Sequence, residues 1–104
     1  MDQSMLPATF SLLSQDFELP VLQKDFEEEM AIGLLSKAIS HLLDRDFERL
    51  LQICYRIDLG EKHLKKILYE ANPDQVASEL ARALWHRQKQ KIEIRRRYAE
   101  DQNQ

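Results

Sequence analysis

Only two glycines and three prolines punctuate this chain of 104 residues. Gly and Pro are the residues that most readily turn or break a backbone, so their scarcity restricts the chain to few turns and long helices. The apolar residues recur at the helical period along most of the chain. Together these features predict an all-α fold: a small three- or four-helix bundle with an irregular N-terminal arm and a long C-terminal helix.

Residues 25–98 form the expected helical domain. A first helix is predicted from about Phe26 to Leu43. Asp25 and Glu28 have capping-box spacing, and Leu34, Leu35, Ala38, Ile39 and Leu42 form its apolar stripe. A second runs from about Asp46 to Ile57, with Asp44 as the expected cap and Phe47, Leu50, Leu51 and Cys54 on one face. No Gly or Pro separates the two, so one helix over 26–57 is the competing arrangement. A third helix, Glu61 to about Ala71, starts at Gly60, with Leu59 and Leu64 at hydrophobic-staple spacing. The fourth opens at Asn72-Pro73 and meets no stop signal before about Tyr98. At about 1.5 Å per residue it would be about 39 Å long, more than a small domain can cover. Its last turns should project, and residues 99–104 should fray.

Residues 1–24 read as the irregular arm. Pro7 and Pro20 oppose helix, and Phe17, Leu19 and Val21 alternate as an extended strand would. Leu6, Phe10, Leu12, Leu13 and Leu22 make the arm apolar as well. It either packs over the domain's own core or serves as an acidic docking peptide.

Several chemistries lack their residues. Cys54 is the only cysteine. It can form neither an intrachain disulfide nor a cysteine zinc site, and a buried structural thiol is expected. None of His41, His63 and His86 has a Glu three residues before it, which removes the di-iron bundle pattern. Asp44, Asp46 and Glu48 imitate the start of a calcium loop, but Arg49 and Tyr55 stand where Gly and Glu are required. Gly-rich phosphate loops and nucleophile elbows are missing too. A non-enzymatic protein without cofactor or metal is the expectation. The first residues have no basic, apolar leader character, and the longest apolar run, Met30 to Leu35, is too short for a bilayer. A cytoplasmic protein without membrane association is expected.

Charge carries the remaining signal. Residues 1–30 hold seven acids and one base, and residues 86–98 hold six bases and one acid, in a chain of net charge −3. Two ends of opposite sign suggest that they meet each other, a second copy, or separate partners. The basic segment mixes cations with aromatics: Trp85, Arg87, Lys89, Lys91, Arg95, Arg96, Arg97 and Tyr98. Such a mixture can dock a protein or hold phosphates and stack bases.

Leu51 to Leu68 carries a second candidate. Ile53, Cys54, Ile57, Leu59, Leu64 and Ile67 occupy the offsets that pack a DNA-reading helix-turn-helix, with Cys54 as the small residue at the crossing. Over these roughly twenty residues the chain resembles that family, although Asp58 replaces the usual turn Gly. The resemblance implies that Glu61, Lys62, His63, Lys65 and Lys66 would face the major groove. On a larger scale, Leu42 to Phe47 and Tyr55 to Leu64 resemble segments of small all-helical bacterial proteins, a likeness that carries no activity and no functional residue. The favoured reading is a protein–protein interaction or self-association module acting through the last helix and the arm, with a homodimer as one form. The alternative is a nucleic-acid-binding module.

Overall fold

The computed structural model describes residues 5–19 and 27–102. Among them lie five helices and no strand: α1 (Met5–Phe17), α2 (Glu28–Arg45), α3 (Phe47–Ile57), α4 (Glu61–Glu70) and α5 (Val76–Gln102). The all-α class and the long final helix are as expected. The helix number is higher, because the N-terminal arm is helical rather than irregular.

The expectation of an irregular arm fails at Pro7 and Phe17. Pro7 lies in the first turn of α1, where backbone N–H groups have no intrahelical acceptor and their loss costs little. Phe10, Leu13 and Phe17 then follow the helical period, and all three are buried in the common core. Thr9 is fully buried beside them. The described part of the arm therefore packs on its own domain, with Phe10, Leu13 and Phe17 turned into the core. The helix ends at Glu18, whose φ of 54° is left-handed. The expectations for Pro20, Val21, Leu22, Asp25 and Phe26 lie outside the described residues.

Residues 28–57 are two helices, and Asp46 is the reason. Its backbone N–H donates to the Leu42 carbonyl at 2.9 Å, closing α2. Its Oδ1 accepts from the Arg49 N–H at 3.2 Å, capping α3. A short acidic side chain can thus replace a missing Gly or Pro by offering the backbone another hydrogen bond. Asp44, the expected cap, is instead an exposed residue in the last turn of α2. The buried face of α3 is also rotated from expectation. Leu50, Ile53, Cys54 and Ile57 are buried, whereas Phe47 is exposed.

The α3–α4 turn has Schellman geometry. The Leu59 N–H donates to the Cys54 carbonyl at 3.2 Å and the Asp58 N–H to the Tyr55 carbonyl at 3.1 Å. Asp58 takes the left-handed position with φ 65°. Gly60 follows with φ 99°, a backbone angle that side chains other than hydrogen oppose, and begins α4. Leu59 and Leu64 are both buried across this start, in line with their staple spacing.

Asn72, Pro73 and Asp74 form a turn rather than the first helical residues. The Gln75 N–H donates to the Asn72 carbonyl at 2.8 Å, and helix α5 starts only at Val76. Asn before Pro suits the first two positions of a β-turn. Helix α5 extends through Gln102, past the expected end, and residues 103–104 lie outside the described set.

Helix α5 is the spine against which the others pack, with α1 and α2 making its largest interfaces. Leu80, Ala81, Leu84, Trp85, Gln88 and Ile92 form its buried row. One turn on from Ile92, that row reaches Arg95, which is exposed, and Arg96, which is half-buried. The core therefore ends at Ile92, and the last turns of α5 overhang it. Helix α4 returns along α5 in the opposite direction. Its start is tied to Arg87 through Asp58, and its end leads within a few residues to Val76.

Candidate functional site

The basic segment divides into cations held by the fold and cations left at the surface. The Arg87 Nε–H donates to the Asp58 carbonyl at 2.9 Å, and Nη2 lies 3.3 Å from Asp58 Oδ2. Arg87 thereby closes the left-handed turn. Lys91 Nζ donates to the Ile57 carbonyl at 3.2 Å, satisfying an acceptor at the α3 C-terminus. Lys89 Nζ lies 3.1 Å from Glu28 Oε2, with side-chain exposures of only 13% and 27%. Trp85 is fully buried, so it is a core residue and not a partner-binding one. Downstream, Arg95 and Arg97 are exposed and Arg96 is half-buried. Arg97 pairs along the helix with Glu93 at 2.6 Å. Tyr98 is 64% exposed, and Ile94, one turn before it, is 55% exposed.

Four acids of the N-terminal region, Asp16, Glu18, Glu28 and Glu29, have cations within the molecule. Asp16 pairs with Arg56 at 2.7 Å, and Glu18 approaches Arg49 at 4.0 Å. Glu29 receives two hydrogen bonds from Arg82, at 2.9 and 2.8 Å. These bonds hold the Glu29 carboxyl below its ordinary pKa and raise that of Arg82. The Glu28–Lys89 pair links the acidic region to the segment 86–98, but Asp16, Glu18 and Glu29 take their cations from α3 and from Arg82. Among the described residues, the Glu28–Lys89 pair is thus the ion pair that joins the two charged ends.

The helix-turn-helix candidates are placed as exposed residues on α4: Lys62, His63, Lys65 and Lys66. The Glu61 carboxylate lies 3.0 Å from Lys65 Nζ, and this hydrogen bond raises the Lys65 pKa. Tyr55 and Tyr69 lie within electrostatic reach of Lys65 and are 60% and 80% exposed. At the turn, Asp58 takes the left-handed backbone. Helix α4 rests chiefly on α5 and makes little contact with α3.

A groove between α4 and α5 adds a site that the sequence does not announce. It is open along its length and encloses about 1050 Å³. Leu59, Ile67, Ala71 and Ala83 supply apolar surface, His63 and Lys66 come from the α4 wall, and His86, Arg87 and Gln90 from the α5 wall. Glu70 and Glu79 mark the end nearer the Asn72 turn, and Asp58 the opposite end. The available sequence signal is the row Glu79, Ala83, His86, Gln90, whose members are too small or polar to register as core. It becomes a groove wall only once Asn72-Pro73 has turned α5 back along α4.

A smaller cleft of about 280 Å³ lies between α1 and α3, where the Asp16–Arg56 pair stands. Cys54 is buried, and burial pushes its thiol up to about 11, so it is a protonated, unreactive group at neutral pH. Among the described residues, no three His, Cys, Asp or Glu side chains are grouped to hold a metal ion. No helix among them is long and apolar enough to cross a membrane. No family model matches the chain, and no similar curated protein or solved structure was found.

Proposed function

We propose that this protein is a non-enzymatic interaction module whose α4–α5 groove receives an amphipathic helix. The carrying observation is the groove itself, together with exposed Ile94 and Tyr98 one and two turns beyond its last α5 residue, Gln90. At 3.6 residues per turn, Ala83, Arg87, Gln90 and Ile94 share one side of α5, and Tyr98 flanks it. A helix lying there would bury apolar anchors at i, i+3, i+4 and i+7 against Ile67, Ala83 and Ile94, with charged residues at the rim. Charges of both signs along the groove would orient the incoming helix more than tighten its binding.

Selection of helical peptides from a displayed random library tests this reading. Enriched peptides are expected to share helical apolar spacing and to lose binding when Ala83 is changed to Glu, with helicity of the protein retained. A library that yields no binders, or binders indifferent to Ala83→Glu, would refute it.

A second reading rests on the exposed α4 face, where Lys62, Lys65 and Lys66 accompany Tyr55 and Tyr69. Aromatics beside cations suit phosphate contact and base stacking. Fluorescence anisotropy with labelled duplex and single-stranded oligonucleotides separates it from helix docking. Binding that weakens steeply with salt and is lost in Lys62→Glu/Lys66→Glu would favour nucleic acid, and no binding at low salt would remove it.

A further inference from the structure

The two walls of the α4–α5 groove carry similar residues in the same order. Counted from the end nearer the Asn72 turn, α4 presents Glu70, Ile67 and His63, and α5 presents Glu79, Ala83 and His86. On each helix the three are spaced three or four residues apart, so they share one face. The Asp58–Arg87 contact at one end and the short turn from Glu70 to Val76 at the other set the level of the two walls. Along the groove, Glu70 then lies within about a turn of Glu79, and His63 within about a turn of His86. On both walls seven residues separate Glu from His, about 10 Å of helix.

The other charges of the groove are mostly held within the protein. Arg82 is bonded twice to Glu29 of α2, and Arg87 to Asp58. His86 lies within electrostatic reach of Glu29, whose charge is met by those two Arg82 bonds. Lys66 stands on the α4 wall between Glu70 and His63. The groove thus has an acidic end, an apolar middle and an end with two imidazoles. An imidazole can donate an N–H to a carboxylate whether neutral or protonated. Lys66 adds positive charge on a flexible stem. Two carboxylates at the other end repel each other and favour a shared cation.

We propose that the occupant of the groove is a bipolar amphipathic helix from a partner protein. It carries a Lys or Arg for the glutamate end and, seven residues away, an Asp or Glu for the histidine end. Between them, apolar residues at i+3 and i+4 rest on Ile67 and Ala83. A docked helix advances the same distance over seven residues as each wall does, and position i+7 returns to nearly the face of position i. A helix charged with one sign at both positions would set a like charge against one end of the groove. The inference rests on the helix-docking reading and names the charge pattern of its partner.

Fluorescence anisotropy with labelled, alanine-rich peptides of about sixteen residues, long enough to form a helix, tests it. The probe bears Lys, Leu, Leu and Glu at i, i+3, i+4 and i+7. Two controls carry Lys at both charged positions or Glu at both. The Lys/Glu probe is expected to bind the wild-type chain roughly tenfold more tightly than either control, the effect of one mismatched charge. In Glu70→Lys/Glu79→Lys the order should change, with the Glu/Glu peptide binding best. In Glu70→Gln/Glu79→Gln the Lys/Glu and Glu/Glu peptides should bind alike. Both positions are exposed, and circular dichroism checks that each variant remains helical. Equal binding of the three peptides to the wild-type chain, or an order unchanged in both variants, would overturn the proposal. If the three bind equally and all are lost with Ala83→Glu, the docking groove stands and selects its helix by apolar spacing alone. If no helical peptide binds, both readings fall.

Discussion

Helix α5 contains two stretches of similar composition and opposite use. Before Ile92, cations tie the fold together. Arg87 holds the Asp58 turn, Lys89 holds the start of α2, and Lys91 holds the end of α3. After Ile92, Arg95 and Arg97 lie on the surface with Ile94 and Tyr98. A run of basic residues is therefore not one functional patch. What decides the role of each cation is whether a helix end or carboxylate from another element reaches it. Upstream, charge acts as a structural fastener for helix termini. Downstream, Arg97 pairs locally with Glu93, and the apolar groups beside that pair are uncovered.

The sharpest way to break this contrast is to truncate one apolar side chain in each stretch. Leu84→Ala removes a fully buried side chain and should destabilise the protein by about 2–5 kcal/mol. Leu13→Ala in α1 should cost a similar amount, because α1 shares that core. Ile94→Ala should change monomer stability by less than about 0.5 kcal/mol while weakening groove binding. Urea unfolding read by circular dichroism, at concentrations low enough to keep the chain monomeric, measures all three. A large loss for Ile94→Ala would mean that the overhang is packed on its own domain. A negligible loss for Leu13→Ala would mean that α1 is a detachable arm.

The legibility of this fold in its sequence follows the same division. Turns marked by Gly or Pro are readable, as at Gly60, where glycine suits a backbone angle that other residues resist. Those made by an acidic side chain are harder. Asp46 divides α2 from α3 through two hydrogen bonds that composition does not announce, and Asp44, two residues earlier, is an equally good cap on propensity alone. Pro7 looks like a breaker, although the first turn of a helix accepts it. Trp85 and the cations around it look like one site because they are neighbours in sequence. At the helical period, however, Trp85 falls on the row of Ala81 and Gln88, which faces the core, whereas Arg87 and Gln90 face the groove. The groove itself is invisible in the sequence, because it arises between two helices and is lined by residues that are individually ordinary.

The contrast can also be drawn with charge alone, where the expected effects are smaller. Lys89→Met keeps much of the side chain's length but removes the ammonium from Glu28, leaving a carboxylate that is 27% exposed without its cation. Water still reaches Glu28, so the loss should be about 1–2 kcal/mol, below that for a fully buried pair. Arg95→Met makes the same kind of change on the overhang and should alter stability by less than about 0.5 kcal/mol. Raising the salt concentration should leave the Lys89 effect largely in place, since a half-buried pair is screened less than an exposed one. Equal losses at the two positions, or a Lys89 effect that vanishes in salt, would show that cations on both sides of Ile92 behave as ordinary surface charge. The division of α5 would then rest on its apolar residues alone.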